Sequence, residues 1–353
     1  MPKNPFTVSF SRKPLEYIER MLQTDQVIET FTEDPVTDQI FVITGLRGSG
    51  KTVLMSSIAS DLEADKDWVV ERAISTRDMV HELAVDLEDK KISSKADLSA
   101  EIDLPGIGSV SVGKNRKEKT DVMRIRESLK ALDRKHKKLL ITVDEISDTP
   151  QMRDLSSVFQ ELIGENLPIY FLGTAIQENL DAIRNVKYMT FLYRAPRIGL
   201  EPLDIASVAL RYKEVLQISD EDSRYMAKLT RGYSFAFQAL GYIYWNHKPV
   251  KNIDDLLPEY DRMLTENSYS KIWSELSLKQ REVCRAIAKS GTGIIKDVRK
   301  LMNMDSNNFN GYRNRLLHIG IINVIDRGTI IFTLPRFSEF ILEYSELYEF
   351  DTP

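Results

Sequence analysis

A chain of 353 residues with 42% apolar and 29% charged residues holds material for two or three domains of ordinary soluble composition. Its single cysteine, Cys284, excludes a disulfide framework and a thiolate metal site, and the four histidines (His81, His136, His247, His318) show no ligand spacing. A net charge of −5 does not advertise nucleic acid, no secretory leader pattern opens the sequence, and no apolar run approaches the ~20 residues that span a bilayer, so a cytoplasmic protein without membrane insertion is expected.

Residues 1–37 are polar and broken by Pro2, Pro5, Pro14 and Pro35, with an amphipathic run from Leu15 to Leu22 that predicts a short lead-in helix. The apolar run Ile40-Phe41-Val42-Ile43 then reads as a buried parallel strand. It feeds Gly45-Leu46-Arg47-Gly48-Ser49-Gly50-Lys51-Thr52, which fits G-x-x-x-x-G-K-[ST] at every fixed position, and a helix follows from Val53 to Leu62. Strand, glycine loop and helix N-terminus form an anion cradle, because the glycines let successive N–H groups face a polyphosphate and the helix end adds partial positive charge. ATP is the expected ligand, held by Gly45, Arg47, Gly48, Ser49, Gly50, Lys51, Thr52 and Val53. In this reading Lys51 reaches the β- and γ-phosphates and Thr52 takes one Mg²⁺ position.

Trp68-Val69-Val70 predicts a second strand and Arg77 to Leu87 a second helix, and this alternation implies a parallel sheet covered on both faces. Residues 93–117 interrupt the rhythm as a β-hairpin insertion, read either as a surface elaboration or as a contact with a neighbouring subunit or DNA. From Lys114 to Lys138 eleven Lys/Arg face four Asp/Glu, largely on a helix starting near Thr120, which suits a solvated helix face as well as a binding patch. Leu139-Leu140-Ile141-Thr142-Val143-Asp144-Glu145 is the second motif. Two carboxylates at the end of an apolar strand are hard to place structurally; beside a phosphate loop, Asp144 serves the metal and Glu145 orients the attacking water. The strand Pro168 to Thr174 ends in a hydroxyl that is either a polar group at the γ-phosphate edge or a helix cap. Tyr193 to Leu203 carries Arg194 and Arg197 just before the last strand.

Residues 203–265 read as helical throughout, and the aromatics Phe235, Phe237, Tyr242, Tyr244 and Trp245 read as helix core, giving a small lid. The remainder has a different grammar. A Ser277-capped helix, a short helix over 294–302, a third from Asn307 to Leu317, and two short strands flanking Asp326-Arg327-Gly328 spell a winged helix-turn-helix. Between Lys279 and Arg336 eleven Lys/Arg face four Asp/Glu, a local surplus of seven in an acidic protein. The exposed face of the third helix is expected to hold Asn307, Asn310, Arg313 and Asn314, which with Arg327 at the turn suit double-stranded DNA; the same unit also serves elsewhere as a protein-interaction module.

The phosphate loop, Asp144-Glu145, Thr174, the Arg194 segment, and a helical lid ahead of a winged helix together resemble AAA+ and STAND-type P-loop ATPases. The nearest likeness is to the branch of archaeal origin-recognition initiators and their uncharacterised bacterial ATP-binding relatives. The resemblance covers nearly the whole chain apart from the insertion near residue 100. It implies an α/β fold, a P-loop NTPase αβα parallel sheet with helical lid and C-terminal winged helix-turn-helix domain. The divisions are 1–37 (lead-in), 38–202 (ATPase core), 203–265 (lid) and 266–353 (winged helix). It further implies Mg²⁺-dependent ATP hydrolysis, nucleotide-dependent homo-oligomers, and two roles by position: Thr174 as the sensor ending the fourth strand and Arg194 as the arginine directed at a neighbour's γ-phosphate, with Arg197 and Arg184 as rivals. One departure stands out. Relatives carry an arginine or Gly-x-Pro at the lid glycine; here Gly232-Tyr233-Ser234-Phe235 has neither, and Arg231 is the nearest substitute.

Overall fold

A computed structural model describes residues 3–9, 14–90, 119–250, 252–326 and 328–345; the expected hairpin near 93–117 and Arg327 lie outside them. Five strands, β1 (Ile40–Thr44), β2 (Trp68–Ala73), β3 (Lys138–Val143), β4 (Ile169–Ala175) and β5 (Arg197–Gly199), form one parallel sheet in the order β2-β3-β4-β1-β5. Their continuous apolar runs are what a sheet buried on both faces demands. One face carries α1 (Met21–Thr32) and α2 (Lys51–Ala64), packed through Phe31, Leu54, Ile58 and Leu62 against Phe41, Ile43, Tyr170 and Leu172. The other carries α3 (Met79–Asp89), α4 (Asp121–Arg134), α5 (Pro150–Gly164), α6 (Gln177–Ile183) and α7 (Thr190–Arg194), packed through Leu83, Ile125, Leu129, Phe159 and Leu180 against Val42, Ile141 and Phe171.

The register aligns the strand ends that matter. Val143 of β3 pairs with Gly173 of β4, and Ile43 of β1 pairs with Thr174, so the residues following β1 and β3 and the end of β4 share one edge of the sheet. Ligands of parallel sheets bind outside the carboxyl ends of strands. Gly173 is required there: a Cβ on it would lie 2.5 Å from Cδ1 of Ile146, the buried residue that anchors the turn after β3.

The lead-in differs from expectation. Residues 15–20 are not helical, and α1 begins only at Met21. Tyr17 and Ile18 are partly buried, Ile18 against the lid core, but Leu15 and Leu22 are 68% and 81% exposed, whereas Val27 and Phe31, one turn apart, are fully buried.

The lid comprises α8 (Ile205–Leu216), α9 (Asp220–Thr230) and α10 (Ser234–His247), then a 3₁₀ turn (Ile253–Leu256) and a continuous rod made of α11 (Leu257–Leu264), a π turn (Thr265–Tyr269) and α12 (Ser270–Glu275). Phe235, Phe237 and Tyr244 are buried core residues, and Tyr242 and Trp245 pack partly buried beside them. The N-terminal residues belong to this body too: Phe6 packs against both Tyr212 and Phe237, and Thr7 N–H donates to Gln238 at 3.0 Å.

The C-terminal unit has three helices, α13 (Leu278–Ser290), α14 (Ile295–Met302) and α15 (Ser306–His318), the antiparallel pair β6 (Ile322–Asp326) and β7 (Thr329–Phe332), and α16 (Phe337–Glu343). Ser277 and Gln280 form the reciprocal cap of α13. Tyr269 and Trp273 of the rod meet Phe337 and Phe340 of α16 with ring centroids 5.1 to 6.4 Å apart, so lid and C-terminal unit share one apolar core.

Candidate functional site

The loop after β1 turns through backbone only glycine adopts freely: Gly48 and Gly50 have φ of +77° and +95°. Gly50 is the N-cap of α2, so Lys51 and Thr52 open the helix. The Lys51 ammonium donates to the carbonyls of Gly45 and Leu46 at 3.0 and 2.9 Å, and burial, followed by the repulsion of Arg47, pushes its pKa down to about 8. Asp144, Glu145 and Glu178 act on it in the opposite direction, more weakly.

Across the loop, the Thr52 hydroxyl donates to both oxygens of Asp144, at 3.1 and 3.0 Å. The buried Thr174 hydroxyl donates to Asp144 Oδ1 at 2.6 Å and accepts the Glu145 N–H at 2.9 Å. Thr174 thus fixes both members of the acidic pair and does not cap α6, whose N-cap is Ile176. Glu145 sits at φ +63°, a left-handed conformation that costs about 1 kcal/mol for a residue with a side chain. Strain of this kind persists where the surroundings over-determine it, as the Thr174 bond and the buried Ile146 do here, and such places cluster at functional sites. Asp144, Glu145 and Thr52 remain exposed to solvent.

The carbonyl side of the loop is held by the lid. The Tyr233 hydroxyl donates to Arg47 O at 2.7 Å, Phe235 N–H to Gly48 O at 3.0 Å, and Ser234 Oγ to Ser49 O at 2.8 Å. A Cβ on Gly48 would come within 2.1 Å of the Tyr233 oxygen. Beside Gly50 lies a cavity of about 330 Å³ whose lining includes Val53, Leu54, Phe237 and Gln238, with Tyr17 and Ile18 from the segment preceding α1.

Gly45, Arg47, Gly48, Ser49, Gly50, Lys51, Thr52 and Val53 line the loop and its helix, with Asp144, Glu145 and Thr174 directly opposite. Arg194 stands apart: it is exposed at the end of α7, with no hydrogen bond or ion pair among the described residues. Its rivals flank one ring, Arg184 and Arg197 lying 5.6 and 4.9 Å from the centre of Tyr193. Arg231 donates to Phe332 O at 2.9 Å. On α15, Asn307 and Asn314 are exposed, but Asn310 and Arg313 are half-buried. Arg313 is four residues after Phe309 and three before Leu316, both fully buried, so it flanks the inward stripe.

Sequence reasoning missed the partners of Arg47. Its guanidinium contacts Glu145 at 3.0 Å and Glu275, at the end of α12, at 2.9 Å. It also missed Tyr233 and Ser234, whose one visible signal was the lid glycine before them.

The family described as Domain of unknown function (DUF8462) matches residues 266–341. No curated protein matches the chain. The chain is similar in structure to the Walker-type ATPase PABY2304 of Pyrococcus abyssi (TM-score 0.62, 13% identity, 92% of this chain and 96% of that one). It is also similar to the ORC2 protein of Aeropyrum pernix in its ADPNP-ADP complexes (TM-score 0.59, 12% identity, 97% and 96%). The fold is that of the AAA+ P-loop ATPases. Among the described residues no helix is long and apolar enough to cross a membrane.

Proposed function

We propose that the chain is a Mg²⁺-dependent ATP-binding and hydrolysing switch of the cytoplasm that binds double-stranded DNA through a C-terminal winged helix and assembles into homo-oligomers when ATP is bound. The observation that carries the catalytic part is the hydrogen-bonded series Thr52–Asp144–Thr174–Glu145 beside Lys51. The β- and γ-phosphates would lie over the amides of residues 48 to 52 against Lys51, and the base would enter the cavity next to Gly50. The Thr52 hydroxyl and Asp144 carboxylate are adjacent hard oxygen donors, the set magnesium takes, and the ion held there would neutralise phosphate charge. Glu145 would orient the attacking water, Lys51 would stabilise charge on the transferring phosphoryl, Thr174 would keep both carboxylates in register, and Arg194 of one copy would reach the γ-phosphate of the next.

Asn307, Asn310, Arg313 and Asn314 with Arg327 would form the DNA face. The hairpin favours a second reading, in which the C-terminal unit docks protein: Val324 and Ile325 of β6 are 40% and 63% exposed and Ile331 of β7 is 38% exposed, an apolar surface that suits a protein partner. Gel shifts at increasing salt separate the two. Contacts to phosphate give affinity that falls steeply with added salt, and the DNA reading fails if no shift appears at low salt with or without ATP. Light scattering with and without ATP tests the assembly, and a mass unchanged by ATP removes the role of Arg194.

A further inference from the structure

Arg47 fills a loop position that the fold of the cradle leaves open to any side chain, yet it is the most heavily engaged residue of the loop. Its Nη1 lies 3.0 Å from Glu145 Oε1 and its Nη2 lies 2.9 Å from Glu275 Oε1. Its carbonyl accepts from Tyr233, whose hydroxyl is also 2.7 Å from Ser268 Oγ in the π turn. The rod over residues 257–275 therefore reaches one loop residue by two routes, directly from its end through Glu275 and indirectly from its middle through Ser268 and the Tyr233 hydroxyl. That end is clamped to the C-terminal unit. Arg281 of α13, 2% exposed, donates to the carbonyls of Trp273 and Ser274 at 2.9 and 3.0 Å, and the His318 ring at the end of α15 meets Asp181 of α6 at 2.9 Å. π turns inside helices recur at functional sites, and this one carries the Ser268 contact.

Charge says what would compete for Arg47. Lys51 is close enough for Arg47 to repel it, so the loop carries two neighbouring cations. The Arg47 Nε is buried with no hydrogen-bond partner among the described residues. A guanidinium presents a planar fork of donors that matches phosphate oxygens, and a polyphosphate carries more negative charge than either carboxylate now holding it.

We propose that Arg47 is a latch opened by the terminal phosphate. The guanidinium leaves Glu145 and Glu275 for the γ-phosphate, which frees Glu145 to hold water and at the same time releases the end of the rod and with it the C-terminal unit. This rests on the reading of residues 45–52 as the ATP site, and names the regulation of that site. Coupling between sites is reciprocal, so weakening the Glu275 grip tightens γ-phosphate binding by the factor with which the γ-phosphate loosens the grip.

The test uses the full chain and its Glu275→Gln and Arg47→Lys variants, with fluorescent ADP or a non-hydrolysable ATP analogue plus Mg²⁺. Two quantities are measured: equilibrium affinity, and hydrogen exchange of residues 265–290. In the parent chain the analogue raises exchange across residues 270–276 and ADP does not. Glu275→Gln shows that raised exchange without nucleotide and binds the analogue about fivefold more tightly, the worth of one partly exposed ion pair, with ADP affinity unchanged. Arg47→Lys, a point cation that bridges only one carboxylate, shows the raised exchange and no gain in affinity. If Glu275→Gln matches the parent in both quantities, or the analogue binds the parent chain without altering exchange at 270–276, the latch is wrong and the ATP site stands. If the parent chain binds neither nucleotide, both fall.

Discussion

The strand-end edge of the sheet and the C-terminal three-helix unit are specified by their sequences in different ways. At the sheet edge, a loop, an acidic pair and one hydroxyl come from three strands, and the side chains of Lys51, Thr52, Asp144 and Thr174 each have a hydrogen-bond partner within 3.1 Å. In the C-terminal unit the helices and hairpin form as their patterns ask, but α15 presents amides and a half-buried arginine while the hairpin presents exposed Val324, Ile325 and Ile331. A reacting centre constrains atoms; a docking face constrains only the character of a surface. Chemistry can therefore be derived from the first region, and the second supports a choice of partners.

Perturbations should be severe at the sheet edge and mild in the C-terminal unit. The largest effect is expected from Lys51→Ala, which removes a charge-assisted contact to two phosphates and should weaken ATP binding roughly a hundredfold, measured by titration calorimetry. Wild-type affinity in that variant would place the phosphates elsewhere. Gly48→Ala comes next. It puts a side chain at φ +77° and drives a Cβ into the Tyr233 hydroxyl, so both the strain and the lost lid bond count, about 3 kcal/mol in urea unfolding. Gly164→Ala, at the end of α5 with open space around it, serves as the control and should be neutral or slightly stabilising.

A smaller effect follows from the titration of Lys51. With its pKa near 8 in the free chain and raised by a bound polyphosphate, ATP affinity should fall as pH rises above about 8, by at most about tenfold per pH unit. The stability contribution has the opposite sign. The unfolded chain, with a lysine of ordinary pKa, binds the extra proton between about 8 and 10.5, so this group makes folding more favourable as pH rises through that window. An affinity that stays flat between pH 7 and 9.5 would show that Lys51 does not face the phosphates. The smallest effect belongs to the C-terminal unit: Arg313→Ala with Arg327→Ala should weaken DNA binding several-fold and lower the salt slope by about two. Binding untouched by this pair would mean that the winged helix is not the reader.

What was legible in the sequence follows the same division. The runs ending at Ile43, Val143 and Thr174 could be placed because buried parallel strands are uniformly apolar, and the polar residues directly after them are then conspicuous. The ion pair that joins Arg47 to Glu275, across 228 positions, left no signal, and the Tyr233 bond to the loop left only the lid glycine before it, since both depend on how two domains meet. The Leu15 to Leu22 helix failed because an amphipathic stripe does not show that the same apolar residues, such as Ile18, can be buried from a non-helical segment. The half-burial of Arg313 was readable from its spacing to Phe309 and Leu316; an expectation built on side-chain chemistry alone passed over that period.

The central claim is that Glu145, held in a strained turn by Thr174, works on the phosphate bound at Lys51. Comparing steady-state phosphate release and ATP binding in the parent chain and Glu145→Gln tests it most directly. The account predicts unchanged affinity with turnover reduced about a hundredfold or more, as loss of a group that acts only on the attacking water requires. Phosphate release at the parent rate in Glu145→Gln would contradict it.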